Sequence, residues 1–226
     1  MRSNEVAVVY QRATGERNSM DDLSMKRIFY IRDIINLFVI SGLIVLTILM
    51  WNDIKSLNDK SSAWFIPLAY STQFYLVADS IFMLALPACV GKRSRLITLV
   101  LHHTATMILV LHPLLYPEHQ HFLVYGMVVE LNTFCLMAFK LVKYDIFKWL
   151  HLITWISLRL CWYPFLIFLY HSEMSRQSEN GSFYSFYEYA SVVFPQIILV
   201  ALGLFWTFEL VAFFKRPAKL AQEKKD

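Results

Sequence analysis

Two adjacent histidines, His102 and His103, lie within an apolar stretch, and a lone carboxylate, Glu130, lies in the middle of the next one. An imidazole next to a carboxylate can act as a general base, and it can also accept an acyl group as a nucleophile. Ionisable side chains cost free energy in hydrocarbon, so such positions indicate function. If the chain is an enzyme, these three residues are its predicted catalytic residues.

Further polar residues occur in neighbouring apolar stretches at a similar depth, estimated from about 1.5 Å of rise per residue. Convergence on one interior cavity is the least costly arrangement for them. Arg159 is then expected to pair with Asp79 or Glu130. Alternatively, the same groups could form structural hydrogen bonds between helices; the spacing supports this alternative as well as it supports a functional cavity. The predicted polar layer comprises Tyr75, Asp79, Asn132, Thr133 and Arg159.

The composition indicates which elements must position these residues. The chain is 57% hydrophobic and 17% charged, with a mean hydropathy of +0.46, as expected for a membrane protein rather than a soluble domain. The apolar residues form runs of about twenty, the length that crosses a bilayer as a helix. We therefore predict an all-α bundle of about six transmembrane helices around a polar cavity. Its approximate spans are Asp33–Trp51, Ala63–Ala88, Leu96–Tyr116, Phe122–Phe139, Ile146–Tyr170 and Tyr187–Phe214.

Basic residues predict the topology, because Lys and Arg favour cytoplasmic loops. Of the 21 basic residues, 17 fall on one side of such a bundle and three on the other, and Arg159 lies inside a span. Both termini are therefore expected in the cytosol. The predicted organisation is a cytosolic arm over 1–32, a transmembrane domain over 33–214 and a basic tail over 215–226. The terminal Lys224-Lys225-Asp226 loosely resembles an endoplasmic reticulum retrieval signal, although a solvated lysine-rich tail is the simpler interpretation.

Other function classes find little support. Adjacent histidines cannot both ligate one haem iron, and the sequence offers too few converging ligands for zinc. The three cysteines match neither a metal nor a disulfide pattern, and the basic residues flank spans rather than forming a nucleic-acid surface. His119 and His121 lie in a short outer loop and are expected to face solvent. We expect no resident cofactor or metal.

The pattern resembles the TLC-domain family of multi-pass membrane proteins, which includes the ceramide synthases. The resemblance covers roughly Tyr70–Leu210. Ceramide synthases carry a basic stretch, a His-His pair in a helix, and then the motif H-D-x-x-D-x-x-L-E-x-x-K. Counted without a gap, the first Asp of that motif falls on Glu130. The matching positions here are Lys92-Arg93-Ser94-Arg95, His102-His103, Leu136, Lys140 and Arg159–Phe165, the last similar to R-L-x-x-Y-P-F.

The departures from this motif point to a particular branch of the family. Val129, Thr133 and Met137 replace the motif's His, second Asp and Glu. Two polar groups that would support acid–base chemistry are therefore missing. The run from Val129 to Thr133 looks more like the form found in TLC-domain proteins outside the ceramide synthases. For that branch the resemblance implies a role in membrane lipid composition.

Three functions follow as hypotheses. The first is a protein of lipid homeostasis that binds or modifies a lipid or fatty acyl chain in the bilayer, as a monomer or homodimer. The second is an acyl-CoA-dependent N-acyltransferase of ceramide synthase type. In it a His102 or His103 imidazole would take the acyl group or deprotonate the amine, Glu130 would set the imidazole tautomer, and Arg159 would help to steer the CoA phosphates. The third is a transporter, although no repeat or discontinuous helix pair supports it.

Overall fold

The computed structural model describes the backbone of residues 3–56, 62–90, 92–179 and 186–222, and the side chains of 27–54, 62–90, 92–176 and 186–211. Within these ranges every regular element is helical, which confirms the predicted all-α fold. The helices are α1 Ser3–Ser56, α2 Phe65–Ala85, α3 Arg93–Leu115, α4 Gln120–Met127, α5 Glu130–Val142, α6 Asp145–Thr154, α7 Tyr163–Glu179 and α8 Phe186–Gln222.

Five helical stretches are long and apolar enough to cross a membrane, and they correspond to five of the six predicted spans. The remaining one, α2, has 21 residues and carries several polar side chains, which reduce its mean hydropathy. Large apolar side chains point outward from the bundle, among them Phe38, Phe74 and Phe208. Such a surface suits lipid rather than water. The five stretches are Arg27–Ile54, Arg93–Leu115, Pro117–Val142, Asp145–Arg176 and Phe186–Val211.

The predicted boundaries at 32/33 and 214/215 fall inside helices. The backbone of α1 begins at Ser3 and that of α8 continues to Gln222. The arm and the tail are therefore helical extensions of the first and last spans over the part of the chain described. Their cytosolic location stays a prediction.

The fourth span is interrupted directly before its half-buried carboxylate, Glu130. Helix α4 ends at Met127, and α5 begins at Glu130 after a two-residue turn. The amides of Val129, Leu131 and Asn132 donate to carbonyls three residues earlier, so the turn tightens the helix just where Glu130 begins α5.

The fifth span is widened into a π-helical segment, Trp155–Trp162, between α6 and α7. Pro164 follows it in the first turn of α7. Proline has no amide hydrogen to donate to the carbonyl four residues earlier, and its ring crowds that carbonyl. This conflict favours a wider turn just before the proline. The segment carries Arg159, so the sequence that disrupts the regular helix also places the buried cation.

Helix packing divides the interior into two apolar clusters. One joins α1, α2 and α4 around Leu68 and Val124, and Tyr75 packs against its edge. The other joins α3, α4, α7 and α8 around Leu166 and Leu199. Helix α3 packs against both α2 and α8, while α5 packs against α1 and α6. The two histidines on α3 can therefore face different partner helices.

Candidate intramembrane polar site

His103 faces α2, where it meets two polar side chains. Its Nδ1 lies 3.0 Å from the Ser80 hydroxyl, and its Nε2 lies 3.8 Å from Oδ2 of Asp79. Ser80 donates its only hydrogen to the Leu76 carbonyl at 2.7 Å, so it accepts from an Nδ1–H of His103. In the neutral ring, Nε2 then keeps its lone pair. His103 thus presents a basic nitrogen next to a carboxylate.

Asp79 is also bound by Arg32 from α1. Nε and Nη2 of Arg32 donate to Oδ1 at 2.9 and 2.6 Å, and Asn36 adds a contact at 3.4 Å. Both side chains of the ion pair are largely buried, at 16% and 8% exposure. The guanidinium also lies 5.0 Å from the Phe82 ring centre. The expected pairing of Arg159 with Asp79 is therefore wrong, because α1 supplies the cation instead.

Arg159 is held by α5 through neutral groups. Its Nε donates to Oδ1 of Asn132 at 2.9 Å, and its Nη2 donates to Thr133 at 3.3 Å. The guanidinium carbon lies 5.3 Å and 5.9 Å from the ring centres of Trp155 and Trp206. Aromatic faces attract a cation without neutralising it. The charge of Arg159 is therefore buried among dipoles and rings.

Asn132 connects this cation to α6. Its Nδ2 lies 3.0 Å from Nδ1 and from the carbonyl oxygen of His151, and 3.0 Å from the Thr154 hydroxyl. The spacing of four between His151, Trp155 and Arg159 gives them one common side, and Trp155 lies 5.7 Å from His151 and 5.3 Å from Arg159. Asn132, only 1% exposed, thus serves both as the acceptor for Arg159 and as an anchor for the fifth span.

His102 faces α8 rather than α2. Its ring packs edge-on against Trp206 at 5.4 Å, and its centre lies 5.9 Å from that of His103. His102 Nδ1 and Arg159 Nη1 are both buried without a hydrogen-bond partner among the described residues. The side chains are 8% and 6% exposed, and both contact the Trp206 ring. Two buried polar atoms at one aromatic ring mark a place suited to a polar ligand atom.

Glu130 lines a narrow cavity between α3, α4, α7 and α8. About 20 Å³ is open to the centres of water molecules, enough for about one water. Gln196 also lines the cavity; its Nε2 donates to the Tyr163 carbonyl at 3.1 Å, while its buried Oε1 has no described partner. Glu130 lies within electrostatic range of Arg159, without a direct ion pair between them in the described structure. The expected Arg159–Glu130 pair is therefore not formed.

The predicted polar layer is thus divided. His103 and Asp79 form one cluster, while Asn132, Thr133 and Arg159 form another beside His102, and Glu130 lines the cavity. Tyr75 packs at an apolar cluster and makes no described hydrogen bond to the layer. Sequence reasoning missed several contributors to these clusters. They are Arg32, Asn36, Ser80, Trp206 and Gln196; the four-residue spacing of Arg32 and Asn36 would have signalled a polar face on α1.

The outer-loop histidines also differ from expectation. His119 is fully buried and His121 half-buried, so the prediction that they face solvent is wrong. A helical turn at Pro117–His119 directs the His119 ring inward, where it stacks on Phe122 at 5.0 Å and lies parallel to His112 at 5.1 Å. The short polar segment indicated a solvent-exposed loop, but α4 begins at Gln120, directly after His119.

Membrane-length helices with outward apolar faces and buried polar clusters define a polytopic membrane protein. The family model described as the TLC domain matches residues 35–212. The chain therefore belongs to the TLC domain family, which confirms the resemblance at the level of the family. Comparison with curated proteins and with solved structures gives no match.

Proposed function

We propose that this TLC-domain protein acts in membrane lipid homeostasis by binding or modifying a lipid or fatty acyl chain inside the bilayer. The polar end of the ligand would lie beside Trp206, between His102 and Arg159. The observation that carries the proposal is the pair of unpartnered atoms there, His102 Nδ1 and Arg159 Nη1. Leaving such a group unsatisfied in the interior costs about 1–3 kcal/mol. A ligand oxygen would recover that free energy.

The charge at this place selects the ligand chemistry. Among the described residues, the hydrogen-bond partners of Arg159 are the neutral side chains of Asn132 and Thr133. An anionic headgroup, a carboxylate or a polarised carbonyl would complement the remaining positive charge. The ligand tail would enter the cavity along apolar side chains such as Leu109, Val110 and Leu199. Because the cavity holds only about one water, these side chains must move apart to admit a chain.

Lipid that co-purifies with the full chain in detergent tests this proposal. Native mass spectrometry of the wild type should show a bound lipid or acyl species, and Arg159→Gln should lose most of it. Gly126→Ala adds a methyl group at the cavity wall where no atom lies within 4 Å, so it should reduce occupancy without a clash. Gly42→Ala, also without contacts within 4 Å, is the matched control and should retain the ligand.

Equal lipid retention by the wild type, Arg159→Gln and Gly126→Ala would contradict the proposed site. Loss of lipid from Gly42→Ala as well would show that the effect is not local. A folded Arg159→Gln protein that binds less lipid while Gly42→Ala binds as much as the wild type supports the assignment.

A second candidate is the acyl-CoA-dependent N-acyltransferase of ceramide synthase type. The observation in its favour is the basic Nε2 of His103 beside Asp79. In the described structure Asp79, rather than Glu130, is the carboxylate next to a histidine of the pair. In this candidate, Ser80 and Asp79 rather than Glu130 would set the tautomer of the His103 imidazole.

Purified protein incubated with acyl-CoA and lipid amines separates the two candidates. Amide product that disappears in His103→Ala, but persists in the exposed control His171→Ala, would establish the acyltransferase. If no amine is acylated while lipid is still retained, the result would support lipid binding without acyltransferase activity. A transporter would be supported by vectorial movement of lipid in vesicles; in the part of the chain that the structure describes, the interrupted α4–α5 span is the feature that favours it.

The proposal includes a location with both termini in the cytosol, in the endoplasmic reticulum. Counting α2 with the five apolar stretches gives an even number of crossings, which would place the two termini on one side. Epitope tags at each end should then be accessible after selective permeabilisation of the plasma membrane. Accessibility of one terminus only would exclude six crossings.

A further inference from the structure

Gln196 on α8 is a fully buried polar side chain on the lining of the cavity. Its amide is oriented by one contact, in which Nε2 donates to the Tyr163 carbonyl at 3.1 Å. The reverse assignment of the amide would bring two oxygens together, so Oε1 is the atom that points away from Tyr163. This oxygen has no hydrogen-bond partner among the described residues. A buried acceptor left in this way indicates a donor on a bound molecule.

Two hydroxyl groups on the same lining are already committed as donors. Thr106 donates to the carbonyl of His102 at 2.9 Å. Tyr170 donates to the carbonyl of Phe122 at 3.2 Å. A hydroxyl carries one hydrogen, so neither side chain can also donate to Gln196. The donor for Oε1 must therefore come from a molecule in the cavity.

Gln196 lies farther along the proposed ligand path than the place for the polar end. Ten residues of α8 separate it from Trp206, which corresponds to about 15 Å along the helix axis. Leu199 lies between them on the same helix and lines the cavity. A ligand with its polar end beside Trp206 and its tail along Leu199 would bring the middle of its chain to Gln196.

We propose that the preferred ligand is an acyl chain with a hydroxyl in the middle of the chain, which donates to Gln196 Oε1. This inference rests on the lipid site proposed above and specifies the class of its ligand. The open space of about 20 Å³ fits one group of the size of a water molecule, as a hydroxyl is. A neutral hydroxyl needs one acceptor, which Gln196 supplies, whereas an ammonium group carries up to three hydrogens and a charge into the interior.

Competition binding to the full chain, purified in detergent and stripped of lipid, tests the proposal. The probes are fatty acids of one chain length: the unsubstituted acid and a series with the hydroxyl at successive positions. The wild type should prefer the acid whose hydroxyl lies about 15 Å from the carboxylate, by about ten-fold over the unsubstituted acid. The analogue with an amine at that position should bind more weakly than the hydroxy acid.

Gln196→Leu removes the acceptor and should abolish the preference while the variant still binds the unsubstituted acid. Gln73→Leu is the matched control, because it makes the same exchange on α2. There Nε2 of Gln73 donates to the Met107 carbonyl at 2.7 Å, and neither residue lines the cavity. Gln73→Leu should therefore keep the wild-type preference for the hydroxy acid.

The wild-type series and the two variants give distinct outcomes. A wild type without positional preference, as expected if a water molecule satisfies Oε1, would overturn the inference. Tighter binding of the amine analogue, or a preference that persists in Gln196→Leu, would overturn it as well. Fatty acid binding without preference would leave the lipid site itself intact, whereas a wild type that binds none of the probes would remove both proposals.

Discussion

The ion pair between Arg32 and Asp79 yields the sharpest prediction of stability. Among the described residues, Arg32→Met would leave the charge of Asp79, which is 8% exposed, in contact with Asn36 and His103 alone. Removing one partner of a buried ion pair costs about 3–5 kcal/mol, because the remaining charge keeps its desolvation cost. For a chain of this size that corresponds to a melting temperature lower by roughly 6–20 °C.

A double-mutant cycle measures this coupling directly. Asp79→Leu alone should also destabilise the protein. The double variant Arg32→Met/Asp79→Leu should lose less unfolding free energy than the sum of the two single variants, by about 2–3 kcal/mol. Thermal unfolding in detergent provides the readout, and exposed Arg27→Met on the same helix is the control. Additive single effects, or single effects below about 1 kcal/mol, would refute the reasoning. Asp79 would then be stabilised without Arg32.

Three further expectations concern other parts of the structure. Arg159→Lys should lower the unfolding free energy by about 1.5–3 kcal/mol, because lysine cannot donate to Asn132 and Thr133 from one planar group; thermal unfolding with and without bound lipid checks it. Gln196→Leu should change stability by less than about 1 kcal/mol, because loss of the hydrogen bond from Nε2 is offset by removal of the unpartnered Oε1. Burial raises the pKa of the Cys89 thiol, so its labelling by an impermeant maleimide should be slow at neutral pH and accelerate as the pH rises.

Long-range organisation was predictable because it depends on summed hydrophobicity. Runs of about twenty apolar residues cannot lie in water or end inside lipid, so five of the six predicted spans coincide with apolar helices. The family was predictable for a different reason: a gap-free register connects His102 to Glu130 and Lys140. Side-chain partners depend instead on rotation of each helix about its axis. A change of one residue rotates the facing side by about 100°, which the sequence does not determine.

The missed partners illustrate that limit. The predicted first span begins at Asp33, so Arg32 counted as a cytosolic charge, yet α1 continues through Arg32 and its guanidinium reaches Asp79. His119 was assigned to solvent from local composition, although the neighbouring helix α8 covers it. By contrast, the common face of His151, Trp155 and Arg159 could be predicted from their spacing along one span. Contacts within a helix were therefore predictable, whereas contacts between helices were not.

The two histidines occupy different electrostatic environments, and this difference predicts which of them would be acylated if the protein is a transferase. Asp79 beside His103 already binds Arg32, so that cluster offers a base but no cation for a substrate oxygen. His102 shares the Trp206 ring with Arg159, whose Nη1 is available to polarise a thioester carbonyl. Attack on a carbonyl held there would come from a ring nitrogen of His102: the acyl–nitrogen bond forms as the carbon–sulfur bond breaks, and the CoA thiolate leaves with the proton that the other ring nitrogen of His102 gives up. His103 would accept the proton of the amine in the transfer that follows. Peptide mass spectrometry after a pulse of acyl-CoA should therefore find the adduct on His102, retained in His103→Ala and lost in His102→Ala. An adduct on His103 alone would place the carbonyl on the α2 side and remove Arg159 from the chemistry.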